Sequence, residues 1–238
     1  MFKVARLSGA LRYNPAVEVQ LPSVRRYRAA ALDARQIAQL VEAMPAPFDL
    51  AVLFCAYTGL RAGELWALRL RHVDLLRRTV RVEDAVSEVA RGVVFGEPKS
   101  ETSRRTIALP RFLCERLYEH LVTRPGDQDA MLFADAKGQP IRHTALYGRH
   151  WRPTVARLAA ADPTFPAGLR FHDLRHSAAS LLINSRADAK AVQHRLGHST
   201  TALTLDTYSH VFDVRDRALA DALDETFEQI KATRAEGR

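Results

Sequence analysis

Cysteine is nearly absent from this 238-residue chain: Cys55 and Cys114 are the only two, far apart in otherwise apolar segments. A disulfide framework or a cysteine-ligated zinc site needs more thiols at closer spacing, so both read as buried, reduced thiols. Long hydrophobic runs are missing as well. No stretch approaches the roughly 18 apolar residues that a spanning helix requires, and the opening MFKVAR holds no uninterrupted apolar signal segment, so the chain reads as intracellular with no membrane partner. Phosphate-cradling glycine loops are not found either. GLRAG at Gly59 to Gly63 and GVVFG at Gly92 to Gly96 lack the spacing of dinucleotide-binding or P-loop turns, and both read as turn glycines. Lysine is scarce, with 5 Lys against 30 Arg.

What is present is ordinary globular composition, 47% hydrophobic and 26% charged, which argues against a wholly disordered basic tail. The length suits one large domain or two small ones. Net charge is +8, and it is unevenly placed. Residues 1–30 carry Lys3, Arg6, Arg12, Arg25, Arg26 and Arg28 against Glu18 alone; residues 91–111 add Arg91, Lys99, Arg104, Arg105 and Arg111 against Glu97 and Glu101. Residues 213–238 are net acidic. Such polarity fits one face that meets phosphate, with Arg25, Arg26, Arg28, Arg104 and Arg105 as candidate phosphate contacts, and another that meets protein.

The first 31 residues read as a connector, broken at Tyr13-Asn14-Pro15 and Leu21-Pro22. Asp33 with Gln36 makes a capping box for a helix carrying Ile37, Leu40 and Val41. FDLAVLFCAY, from Phe48 to Tyr57, is apolar on nearly every side and reads as a central buried helix ended by Thr58-Gly59. Arg61 to Leu68 follows as a short helix. Between Arg77 and Leu109 the pattern alternates, predicting three short antiparallel strands around 79–82, 93–95 and 105–109, with Lys99 to Ser103 as a turn. Pro110 opens a helix to Thr123. Thr144 to Ala160 reads as a helix interrupted near Pro153, and helices follow over about 172–185, 188–196, 200–210 and 214–232. The expected fold is mainly α (α+β), a helical domain with a small three-stranded antiparallel sheet.

Five of the nine histidines, His172, His176, His194, His198 and His210, fall within 39 residues. The pairs 172/176 and 194/198 have usable zinc spacing, yet no cysteine or HExxH motif accompanies them, so an anion is the better partner and no metal is expected. His172 and Arg175 share a helix face and can converge on one phosphate, Arg with its planar fork and His with a proton to give or take near neutral pH. Arg61 stands three residues before Glu64, which can hold its guanidinium in one orientation. Lys99 is the sole lysine between positions 4 and 136, and a lysine can give up a proton where an arginine cannot. A lone tyrosine is ordinarily a packing residue. Beside so many phosphate-binding groups, Tyr208 becomes a candidate nucleophile, provided a neighbouring base takes its proton.

The order Arg61 in TGLRAGEL, Lys99, His172-Asp-Leu-Arg175-His176, Leu196-Gly197-His198 and then Tyr208 resembles the catalytic domain of tyrosine recombinases, the phage integrase family, over about residues 30–212. The resemblance implies site-specific DNA strand exchange without metal or cofactor. Tyr208 would attack a phosphodiester and leave a 3′-phosphotyrosyl link; Arg61 and Arg175 would neutralise the non-bridging oxygens, and His198 would add a hydrogen bond. Lys99 would protonate the leaving 5′-oxygen, and His172 would act as base or position the phosphate, with Glu64 and His176 in support. Residues 1–31 look like the end of a core-binding domain and its basic linker, 32–212 the catalytic domain, and 213–238 an amphipathic helix for contact between protomers. Double-stranded DNA is the implied partner, with a tetramer on DNA, a monomer without it, accessory DNA-bending proteins, and a cytoplasmic, nucleoid-associated location. Two rivals stand beside this reading: a non-recombining DNA-binding remnant without the clamp domain, and strand cleavage resembling that of type IB topoisomerases.

Overall fold

A computed structural model describes residues 2–17, 19, 29–90, 92–96, 103–202 and 208. Helix α1 (Phe2–Leu7) is a short, largely exposed turn within the stretch expected to be a connector, a small correction to that expectation. The packed body starts at α2 (Ala34–Ala43). Asp33 accepts from the Gln36 backbone N–H at 2.8 Å while the Gln36 side chain accepts from the Asp33 N–H, so the expected capping box forms. Ile37 and Leu40 point inward against α3 (Phe48–Thr58), whose buried residues lie on almost every side. That all-round burial follows from its position, because α3 packs against α2, α5 (Arg111–Thr123) and α8 (Asp173–Asn184).

Helix α3 ends at Gly59, where φ of +72° lets the chain reverse, and α4 (Ala62–Trp66) follows at once. Strands β1 (Val73–Asp74), β2 (Thr79–Val82) and β5 (Arg105–Ala108) form an antiparallel sheet in the order β1-β2-β5, with Val80 opposite Ile107. Inward Val80, Val82 and Ile107 alternate with outward Thr79, Arg81 and Thr106. The three-stranded sheet is thus present, but its membership differs from expectation. The Val93 to Phe95 run lies in β4 (Gly92–Gly96), which among the described residues pairs with β3 (Ala85–Val89) alone, as a separate hairpin. β3 carries Ala85, Ser87 and Glu88, too little apolar alternation to announce a strand. It is held instead by Glu88, which accepts from Arg142 Nε, the Thr144 backbone N–H and the Thr144 hydroxyl.

The interrupted helix is α6 (His143–Leu146), a π-helical turn over Tyr147–Trp151 and then α7 (Arg152–Ala161). Pro153 lacks an N–H and crowds the preceding turn, so the chain widens there and places Trp151 fully inside, its indole donating to the Leu169 carbonyl at 2.9 Å. Helices α8 and α9 (Ala189–Leu196) complete the described elements, α9 lying against α8 and β5. The expected helix over 214–232 falls outside the described residues. No helix among the described residues is long and apolar enough to cross a membrane.

Candidate active site

Two left-handed glycine turns, Gly59 after α3 and Gly197 after α9, bring the site together beside the start of β5. Arg61 begins α4. Its backbone N–H donates to Glu64 Oε2 at 2.9 Å and its Nη1 to Glu64 Oε1 at 2.7 Å; Nη1 also reaches the Ser103 hydroxyl, and Nη2 donates to the Gly197 carbonyl at 2.8 Å. Glu64 is buried and is shared with Arg105, which donates from Nη1 and Nη2 at 3.2 and 3.0 Å. Burial works to raise the Glu64 pKa, but Arg105 and Arg61 outweigh it and hold the carboxyl below its ordinary value.

Arg175 extends from α8 into the same centre. It is 3% exposed, donates from Nη1 to the Gly59 carbonyl at 2.7 Å, and keeps Nη2 buried without a hydrogen-bond partner among the described residues. Burial, then the nearby Arg61 cation, lowers its pKa to about 10. A concentration of positive charge this far from water is costly, and an anion relieves it.

Tyr208 is 3% exposed and packs with Ala179, Ile183, Val192 and Leu196. Its hydroxyl lies 2.9 Å from His176 Nδ1, and its ring stacks with that of His198 at 6.5 Å between centroids. Burial raises the phenol to about 12, with Arg175 pulling the other way. His198 is buried, and burial followed by the Arg175 and Arg61 charges lowers it to about 4. His172 is exposed overall and meets His176 edge-on at 5.5 Å; desolvation of its ring and then His176 and Arg175 bring it to about 4. Both rings are therefore neutral at pH 7 and able to take a proton.

The structure thus gathers Arg61, Glu64, Arg175, His176, His198 and Tyr208, with His172 at the rim. Lys99, Arg25, Arg26 and Arg28 lie outside the described residues. Arg104 is exposed, as a DNA contact must be. Arg105 corrects the expectation that placed it beside DNA. Its side chain is 1% exposed, and its N–H groups go to Glu64, the Ser103 carbonyl and the Arg195 carbonyl, leaving it a structural partner of Glu64. Strand alternation held the signal: in β5 Arg105 shares the inward phase with Ile107, while Arg104 does not. The sequence reading also missed Arg195, which ties α9 to the carbonyls of Ala108 and Tyr57, and Ser177, which accepts from the Leu32 N–H at 2.9 Å. These are long-range pairings with no local pattern. Among the described residues no three His, Cys, Asp or Glu side chains are grouped to hold a metal ion.

Residues 30–215 match the family described as Phage integrase family. Prophage phiRv2 integrase of Mycobacterium tuberculosis is 37% identical over 205 residues, which cover 84% of this chain and 52% of that protein. Tyrosine recombinase XerC of Mycobacterium sp. (strain KMS) is 31% identical over 223 residues, covering 90% and 69% respectively. The chain spans about half the length of the first curated relatives it matches. Among solved structures, the Tn1549 transposon integrase in complex with circular intermediate DNA superposes with a TM-score of 0.74 at 22% identity, over 93% of this chain and 76% of that one, a likeness of fold.

Proposed function

Because the chain belongs to the phage integrase family, we propose that it is a site-specific DNA recombinase whose strand cleavage and rejoining run through Tyr208. The tyrosine oxygen attacks a phosphodiester of double-stranded DNA, forming a 3′-phosphotyrosyl bond as the bond to the 5′-oxygen breaks. A 5′-hydroxyl of the partner strand then reverses the step. Bond energy stays in the covalent link, so the reaction calls on no metal or cofactor.

Arg61 and Arg175 neutralise the non-bridging oxygens as the pentacoordinate transition state gains charge. Glu64 holds Arg61 in place beforehand, so little reorganisation is left for the moment of reaction. His198 adds a hydrogen bond to the phosphate. Lys99 supplies the proton for the leaving 5′-oxygen, a task open to lysine and closed to arginine. His172, neutral and at the rim, positions the phosphate. Arg25, Arg26, Arg28 and Arg104 contact backbone phosphates, and exchange takes place in a tetramer on DNA.

The observation that carries this reading is the buried Nη2 of Arg175, without a partner among the described residues, in electrostatic reach of Arg61 and of a tyrosine hydroxyl. A phosphate oxygen supplies what that nitrogen lacks. The test is a nicked duplex from the DNA flanking the gene, incubated with the chain and resolved on a denaturing gel. A covalent adduct is expected, lost in Tyr208→Phe and indifferent to a chelator. An adduct that persists in Tyr208→Phe would exclude Tyr208 as the nucleophile.

A further inference from the structure

A phenol cannot attack phosphorus while it keeps its proton, and Tyr208 sits where burial makes that proton hard to lose. Some group must therefore receive it at the moment of attack. The resemblance to recombinases implied His172 for this work, yet the ring that meets the hydroxyl is that of His176, one turn farther along α8, with Nδ1 at 2.9 Å from the tyrosine oxygen. His172 instead meets His176 edge-on.

Resting on the recombinase reading above, we propose that His176 is a catalytic residue: its Nδ1 accepts the Tyr208 proton as the tyrosine oxygen bonds to phosphorus. The step balances. The Oη–H bond breaks and an Nδ1–H bond forms on His176; the Oη–P bond forms and the P–O5′ bond breaks; the leaving 5′-oxygen takes its proton from Lys99. In the return step the P–O5′ bond forms as the Oη–P bond breaks, the attacking 5′-hydroxyl gives its proton to the now neutral Lys99, and imidazolium His176 gives its proton back to the departing phenolate.

The surroundings suit this. An acceptor must be neutral, and burial keeps His176 below its ordinary pKa despite the nearby Asp173 carboxylate, which pulls upward; Arg175 and Arg170 push downward. The other titratable groups on it are His172, Tyr208 and His198. With Nδ1 as acceptor the ring proton sits on Nε2, the tautomer in which the tyrosine hydroxyl donates to His176. The Tyr208 ring is held between His176 at 5.6 Å and His198 at 6.5 Å between centroids, so the hydroxyl has a defined direction.

The test combines a tautomer readout with a chemical rescue. In nitrogen-15 histidine spectra of the free protein at pH 7, the His176 signals, identified by their loss in His176→Gln, are expected to show a proton on Nε2 and an Nδ1 shift that moves in Tyr208→Phe. On the nicked duplex described above, His176→Gln keeps a hydrogen-bond acceptor but accepts no proton at neutral pH, and its adduct formation is expected to slow by about 100-fold or more. Difluorotyrosine at position 208, a more acidic phenol, is expected to restore most of that loss. Adduct formation by His176→Gln at the wild-type rate overturns the proposal, as does a slow variant that the acidic phenol fails to rescue, which would leave His176 only a positioning role. An Nδ1 signal indifferent to Tyr208→Phe overturns the contact itself. An unreactive wild type would count against the recombinase reading, whereas a reactive wild type matched by His176→Gln would count against this assignment alone.

Discussion

Arg105 and Arg175 are both buried arginines, and they differ in what their N–H groups meet. Arg105 has partners on Nε, Nη1 and Nη2, two of those groups closing on Glu64, whereas Nη2 of Arg175 has none among the described residues. Removing one half of a buried ion pair strands the other half. Arg105→Ala is expected to cost about 3–5 kcal/mol in urea unfolding. Arg175→Ala is expected to unfold at nearly the wild-type urea concentration, yet to lower the rate of covalent adduct formation by about 100-fold or more, because it removes a charge-stabilising donor. Glu64 also sets an acid dependence. Its folded pKa lies below the ordinary 4.5, so its contribution is whole above 4.5 and is lost as pH falls through the lower folded value. His172 and His198, held near 4 in the fold and ordinarily 6.5, take up protons on unfolding, which lowers stability as pH falls between those values. Urea midpoints from pH 7 to 3 are therefore expected to fall throughout in the wild type. In Glu64→Gln the loss below 4.5 is expected to flatten, and the slope above it to remain.

Helices α2, α3 and α5 were legible because each carried its own local signal, a capping box at Asp33, an apolar run in α3 and a proline ahead of α5, whereas α1 carried none and was read as connector. The sheet was legible only in part. β2 and β5 alternate cleanly, while β3 gains its place from backbone pairing and from Glu88 bonding α6, neither of which shows in an apolar pattern. Gly59 shows how an element boundary also builds the site. Its φ is +72°, and a Cβ there would come within 2.4 Å of Leu196 Cδ2, a side chain buried in the core. Gly59→Ala is expected to cost about 2–4 kcal/mol in urea unfolding, the left-handed backbone penalty added to overpacking. Since the Gly59 carbonyl accepts from Arg175, the same variant is expected to form adduct more slowly even under conditions where it stays folded.

Across the whole molecule, the +8 charge is unevenly spread along the sequence, residues 1–30 carrying six basic side chains against one acidic. The guanidinia of Arg61, Arg105 and Arg175 are committed to the site, so under the recombinase proposal long-range attraction to DNA falls to the basic residues elsewhere, above all those of residues 1–30. Replacing both Arg25 and Arg26 by Ala is expected to reduce the slope of log binding constant against log salt by about 1–2, with little change in cleavage once DNA is bound. Identical slopes for wild type and the double variant would remove those residues from the phosphate contacts. The amino-acid sequence by itself determined which reactive groups exist and in what order, because a phenol, a guanidinium or an imidazole carries its chemistry wherever it is placed; that was enough to reveal the family and to single out Tyr208. It also determined the helices, whose hydrogen bonds are local. Only the tertiary structure decided which buried charges pair and which imidazole meets the Tyr208 hydroxyl. Arg105 reaches Glu64 across 41 positions of the chain, and His176 reaches Tyr208 across 32. Contacts at such separations arise from how helices and strands pack against one another, and no nearby residue pattern encodes them.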